Sequence, residues 1–243
     1  VLNIRIDCYQ KKLIVKWRHI MMDISYDKFI KAENEIYKSI TNISVPTSKN
    51  LGNEQLSMGI DWLCDGSYSI LDFGCGTGSM LFSCALRGVK MLKGIDLSDE
   101  AIKLCNNRAK LMEFGNYEFI HGSVSKLEEI NSNSIDGVII SNTIDNITPS
   151  DAVELLKQVK RILKVSGKVF VKLNPYITEK QIEEWNIKVI EGNLLDDGLM
   201  LWNQTTDEWR ILLSKYFTEC EYIDVYYPEH EQYNRMFLMV NQI

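Results

Sequence analysis

The sequence predicts an α/β protein built on a doubly wound, mostly parallel sheet. From Ser69 to Leu173, short apolar runs alternate five times with amphipathic stretches, the order of strands joined by crossover helices. The first run breaks into Gly74, Gly76 and Gly78 and then feeds a helical pattern. Such folds place a bare-backbone turn there because a Cβ would block the approach of a ligand. The second run ends on Asp96, about twenty residues later, at the carboxyl end of a strand.

Composition narrows the class. The chain has 243 residues, 45% of them hydrophobic and 25% charged, enough to bury a core. Net charge is −6, and no Lys/Arg cluster reads as a phosphate footprint, so no nucleic-acid partner is expected. Cys8, Cys64, Cys75, Cys84, Cys105 and Cys220 form no CxxC pair and no metal spacing. They read as small core residues of a reducing compartment, the cytoplasm. Their separation in sequence also speaks against a thiol site of the arsenite type, unless distant cysteines converge in the fold. No apolar run approaches the ~18 residues of a membrane span, and no signal peptide is visible, so no membrane partner is expected.

The elements follow in order. Residues 1–21 carry Arg5, Lys11, Lys12, Lys16 and Arg18 and read as an upstream extension, since Met22-Asp-Ile-Ser-Tyr resembles a natural start; a basic lead strand over Leu13–Val15 is the other reading. Residues 22–66 form an N-terminal helical part: Tyr26 to Ile40 with an apolar stripe of Phe29, Ile36 and Ile40, then Asn53 to Cys64 with Leu56, Ile60 and Leu63. Residues 67–243 form the main domain, with a core over 69–173. After the glycine turn come helix Ser79–Arg87, strand Val89–Ile95, and a helix capped by Ser98 that runs to Phe114. Strands Tyr117–Ile120 and Ile135–Ile140 follow. A helix opened by Thr148 and Pro149 buries Val153, Leu156, Val159 and Leu163, exposes Lys157, Lys160 and Arg161, and stops at Gly167. Lys168–Leu173 is the fifth strand. An insertion over about 177–204 holds a helix, Thr178–Trp185, and two short strands, Ile187–Ile190 and Leu199–Trp202. Residues 205–243 add a helix and strands Glu221–Tyr227 and Arg235–Asn241.

Asp72-x-Gly74-x-Gly76-x-Gly78 resembles motif I of the class I S-adenosylmethionine-dependent methyltransferases, and Gly94-Ile-Asp96-Leu-Ser98 resembles their second motif. A carboxylate ahead of G-x-G-x-G suits a cationic ligand, whereas dinucleotide folds read G-x-G-x-x-G. The tail Gly198-Leu-Met-Leu-Trp…Thr206-Asp-Glu-Trp209 is similar to that of bacterial class I members. The resemblance implies a Rossmann-like seven-stranded sheet with a terminal antiparallel strand, preceded by two helices that either cap the pocket or simply pack on the sheet edge. The insertion lies outside the minimal core and reads as a lid or pocket wall. The resemblance also implies S-adenosyl-L-methionine as cofactor. Carried over position by position, the cofactor residues are Asp72, Gly74, Cys75, Gly76 and Gly78 for the methionine part, and Asp96 and Leu97 for the ribose. Ser123 and Val124 stand where the family often carries an adenine-binding Asp, and Ser141 and Asn142 follow the fourth strand. His121 reads as a strand-end residue.

The implied reaction is in-line methyl transfer to a small-molecule acceptor. The Asn/Asp-Pro-Pro-Tyr element of methyltransferases that modify amino groups of DNA and some proteins is missing after strand four. No catalytic residue is assigned; Tyr26, Asp145, Tyr176 and His230 are the candidates for a base, and Tyr26 and Tyr37 for pocket walls. A monomer or homodimer is expected. Two other readings stay open: a non-catalytic binder of the same cofactor, and a nicotinamide-dependent oxidoreductase.

Overall fold

A computed structural model describes residues 26–242. The two readings of residues 1–21, and Cys8, lie outside the described residues. Helix α1 occupies residues 26–39. It is followed by α2 (Glu54–Cys64), β1 (Ser69–Phe73), α3 (Ser79–Leu86), β2 (Met91–Asp96), α4 (Asp99–Ala109), β3 (Asn116–His121) and β4 (Ile135–Ser141). Then come α5 (Pro149–Ile162), β5 (Leu163–Leu173), α6 (Glu179–Glu184), β6 (Lys188–Glu191), β7 (Leu194–Asp196) and β8 (Met200–Trp202). The chain closes with α7 (Thr206–Leu213), β9 (Thr218–Tyr227) and β10 (Gln232–Val240).

The main sheet has seven strands in the order β3-β2-β1-β4-β5-β10-β9. β1 to β5 are parallel, and β10 enters antiparallel between β5 and β9. The doubly wound, mostly parallel sheet expected from the sequence is therefore present. The period of two along β1 sends neighbouring side chains to opposite faces. Ile70 joins a core with α2, α3 and α4, including Ile60, Leu63, Leu81 and Ile102. Leu71 and Phe73 join the opposite core with α5 and α7, including Leu155, Leu156, Val159 and Trp209. β1 is thus covered on both sides, as a central strand of a parallel sheet requires, whereas the edge strand β3 has no fully buried residue.

Several local expectations need correction. Ile36 and Ile40 are exposed while Phe29 is buried, because α1 lies over a cavity and has no sheet face to cover. Helix α4 stops at Ala109 instead of Phe114: Leu111 and Met112 donate three residues back, to Arg108 and Ala109, tightening the last turn. Gly167 does not end α5. The helix stops at Ile162, and the chain enters β5 at once through the Ile135–Leu163 pair. Gly167 instead serves a close backbone approach, since a Cβ there would lie 2.8 Å from the Lys164 carbonyl oxygen. Arg161 is not a freely solvated face, for it donates to the Leu127 and Ile130 carbonyls below α5. The insertion holds three strands, one more than expected, in an antiparallel sheet β6-β7-β8. Cys64, Cys75, Cys84 and Cys105 are buried, but Cys220 is exposed on the outermost strand β9.

Candidate functional site

A cavity of about 950 Å³ opens at the carboxyl ends of the parallel strands. It sits where β1 and β4 diverge, the switch point at which such sheets take ligands. Phe73 and Gly74 after β1, Ile95 to Leu97 after β2, Gly122 to Ser125 after β3, and Asn142 and Thr143 after β4 form its sheet side. Helix α1 closes it with Tyr26, Asp27, Phe29, Ile30 and Glu33. The start of α5 adds Ser150, Asp151 and Glu154, and Leu199 and Met200 of the insertion complete the wall. Lys28 of α1 pairs with Asp196 of β7 at 2.9 Å, joining the helix to the insertion. Helix α2, by contrast, packs its Ile60 and Leu63 in the core on the sheet. Of the two N-terminal helices, only α1 touches the cavity.

The glycine turn is held in place from both sides. Gly74, Gly76 and Gly78 all have positive φ, a region that L side chains rarely occupy. A Cβ on Gly74 would lie 2.3 Å from Thr143 Oγ1, and one on Gly76 would lie 3.0 Å from the Tyr37 hydroxyl. Asp96 fixes the turn from β2: its Oδ2 accepts from the Gly76 N–H and its Oδ1 from the Ser98 N–H, both at 2.8 Å. Burial raises its pKa, while those N–H donors and the nearby His121 oppose the rise. The sequence offered no structural duty for Asp96; the structure gives it one while leaving it on the cavity wall. His121 donates through Nε2 to the Leu97 carbonyl at 2.9 Å, as befits a strand-end residue.

Beneath the turn lies Asp72, buried, with an Oδ1 that has no hydrogen-bond partner. Burial first, and then the charge of Asp96, push its carboxyl up to about 8. A buried acid without a partner is costly, and a cation delivered beside it removes the cost. An unpartnered carboxylate oxygen of this kind fits the ammonium of an amino-acid ligand as its hydrogen-bond acceptor.

The expected cofactor residues divide. Gly74, Asp96, Leu97, Ser123, Val124 and Asn142 line the cavity, whereas Asp72, Cys75, Gly76, Gly78 and Ser141 stand behind its surface. Cys75 and Cys105, far apart in sequence, meet behind the loop, where the Cys105 thiol donates to the Gly76 carbonyl at 3.1 Å. Neither reaches the cavity.

Among the candidate bases, Tyr26 lines the cavity but is committed. Its hydroxyl donates to Asp151 Oδ2 at 2.8 Å and accepts from the Thr148 N–H, which locks α1 to the start of α5. Asp145 is fully buried and turned away, accepting from the Asn174 N–H at 2.6 Å to pin the end of β5. Tyr176 and His230 do not line the cavity, because Tyr176 lies beyond the β5 end and His230 in the β9–β10 turn. The group the sequence reading missed is Glu33, whose carboxyl burial and the Asp96 charge push up to about 7. Asp27, Asp151 and Glu154 were also missed as wall residues. The signal for Asp27 and Glu33 was their i, i+3, i+6 spacing with Ile30 along one helix, and Asp151 and Glu154 carried none beyond their place in the first turns of α5.

Comparison with known proteins agrees with this geometry. The profile of a family described as a methyltransferase domain matches residues 65–213. A ubiquinone biosynthesis O-methyltransferase of Neisseria meningitidis is 28% identical over 101 residues, 42% of each chain, so this chain spans less than half of that relative's length. A crystal structure of a Pyrococcus horikoshii protein superposes with a TM-score of 0.63 at 21% identity, covering 86% of this chain and 99% of that one. A didemethyltoxoflavin N1-methyltransferase of Burkholderia thailandensis, solved with its substrate and S-adenosylhomocysteine, superposes with a TM-score of 0.59 at 16% identity over 79% of this chain and 80% of its own. With the family profile covering more than half of the 243 residues, the chain belongs to the methyltransferase-domain family and carries the fold of class I S-adenosylmethionine-dependent methyltransferases.

Proposed function

We propose that this chain transfers a methyl group from S-adenosyl-L-methionine to a small-molecule acceptor. The observation that carries the proposal is Asp72: a buried acid with an unpartnered oxygen, set behind the glycine turn whose Gly74 lines a large cavity. When bound, the cofactor supplies a methyl group on positively charged sulfur, already a strong electrophile. The protein's work is then alignment and exclusion of water. Asp72 would hold the ammonium, the backbone of Gly74 and Gly76 would admit the amino-acid part, and Asp96 would accept from the ribose hydroxyls. Leu97, Ser123 and Val124 would frame the adenine, with Asn142 and Thr143 below. Helix α1 and the insertion, tied by Lys28–Asp196, would shield the reacting atoms from solvent.

A small acceptor is supported by a cavity walled by α1 and the insertion, near the upper end of the ~300–1,000 Å³ usual for small-molecule sites. The Neisseria and Burkholderia relatives are likewise named for small-molecule chemistry. Nucleic acid is disfavoured because no Lys or Arg lines the cavity among the described residues. Among the same residues, no helix is long and apolar enough to cross a membrane.

The test is an incubation with methyl-labelled S-adenosylmethionine and a small-metabolite extract. Label should appear in low-mass products and be lost in D96A. Cofactor binding without transfer would favour a non-catalytic binder, and label confined to macromolecules would contradict the acceptor class.

A further inference from the structure

The acceptor end of the cavity is not chemically neutral. Five carboxylates line the cavity, those of Asp27, Glu33, Asp96, Asp151 and Glu154, and no Lys, Arg or His lines it among the described residues. Helix α1 orders them along the site. Its Tyr37 end lies on the glycine turn, Glu33 faces Asp96, and its Tyr26 end is bonded to Asp151 on α5. At 1.5 Å of rise per residue, Tyr26 and Tyr37 are about 16 Å apart along the axis. Asp96 and the turn therefore mark the cofactor end. Asp27, Asp151 and Glu154 mark the opposite end, with Phe29, Ile30, Ile147 and Met200 on the wall as apolar surface.

Each acid at that end has surroundings that leave capacity for a ligand. Asp151 accepts from Tyr26 through Oδ2 only. Glu154 accepts from Gln158 through Oε1, and Lys157 stands 3.6 Å from Oε2. Asp27 is exposed at the cavity edge.

Resting on the methyltransferase reading, we propose that the acceptor is a protonated amine on an apolar skeleton, drawn in by Asp27, Asp151 and Glu154 and methylated on nitrogen. Anionic acceptors meet like charge from three acids, and neutral hydroxyl acceptors can hydrogen-bond to those acids but bring no opposite charge to them. An ammonium has no lone pair and must lose a proton first. The carboxylates that hold the ammonium, those of Asp27, Asp151 and Glu154, receive it. The freed nitrogen pair then forms the N–C bond as the C–S bond breaks, and the electron pair of that bond stays on sulfur. The product leaves as the methylated ammonium.

The experiment is a calorimetric titration of the chain, with and without saturating S-adenosylhomocysteine, using 2-phenylethylamine, 2-phenylethanol and phenylacetate. The expected order is amine at least ten-fold tighter than alcohol, with no binding of the carboxylate. In D27N/E154Q, whose positions are not buried, amine affinity should fall at least ten-fold while alcohol and S-adenosylhomocysteine affinities hold. Alcohol or carboxylate binding as tightly as the amine overturns the proposal, as does failure of all three to bind or an unchanged amine affinity in the double variant. Failure of S-adenosylhomocysteine alone to bind would strike the cofactor reading instead, and the amine contrast in the bare chain would still decide this one.

Discussion

Replacing Asp72 by asparagine should stabilise the free protein and weaken it as a binder. The Asp72 carboxyl is pushed from its ordinary 3.8 up to about 8 by burial and the Asp96 charge. Folded chains therefore keep a proton that unfolded chains release, and stability falls as pH rises from about 4 to about 8. The cost is absent below pH 4 and on the order of 4 kcal/mol at pH 7. Asparagine removes the titration but keeps a buried polar atom without a partner, so recovery of about half, ~2 kcal/mol, is expected. For a chain of this size that is a rise of about 4–8 °C in Tm at pH 7, shrinking to nothing at pH 4. Binding moves the other way. Loss of a buried charge partner for the ammonium costs about 2–5 kcal/mol, at least ~30-fold in Kd for S-adenosylhomocysteine. Because Asp72 is mostly protonated before binding at pH 7, binding should also release close to one proton. That release is measurable as a dependence of the calorimetric enthalpy on buffer ionisation, and it should vanish in D72N. A D72N chain that melts no higher than the parent at pH 7, or gains as much at pH 4, would refute this account of Asp72.

Three further outcomes follow from the same geometry. D96A should weaken S-adenosylhomocysteine binding at least about ten-fold by calorimetry, and also lower Tm, because the Gly76 and Ser98 N–H groups lose their acceptor; an unchanged Kd would remove Asp96 from the ribose. G74A should cost about 2–4 kcal/mol in denaturant unfolding, since φ is +75° and the new Cβ would lie 2.3 Å from Thr143 Oγ1. Adding T143G should recover part of that loss, and full stability in G74A alone would show the turn to be built otherwise. Glu33 keeps its proton in the folded chain to about pH 7, whereas the unfolded chain releases it near ~4.3. Its contribution thus lowers stability as pH rises through that window. E33Q should flatten the fall of Tm between pH 5 and 7, and an identical pH profile would count against a buried Glu33.

What the sequence made legible was local. The strands from β1 to β5, the glycine turn and Asp96 are written as apolar runs, positive-φ glycines and a strand-end acid, each recognisable within a few residues. The errors arose where tertiary placement decides. Ile36 and Ile40 have helical spacing, yet α1 spends its inner face on a cavity, so those two side chains remain in solvent. Asp145 and Asp151 both follow β4, and nothing in their spacing tells that one turns inward to pin Asn174 while the other stands on the cavity wall. Asp151 in addition had an adequate explanation as a first-turn acid of α5. Cys75 and Cys105 meet only because α4 packs behind the turn. Glu33 looked like one more charge on a polar helix, and its raised pKa comes from burial first and then from the charge of Asp96, which lies 63 positions further on.

The most direct test of the central claim is a calorimetric titration of the purified chain with S-adenosylhomocysteine at pH 7, with NAD as control. The account predicts saturable one-to-one binding with release of close to one proton, and no heat from NAD. Binding of NAD without S-adenosylhomocysteine, or binding of neither, would contradict it.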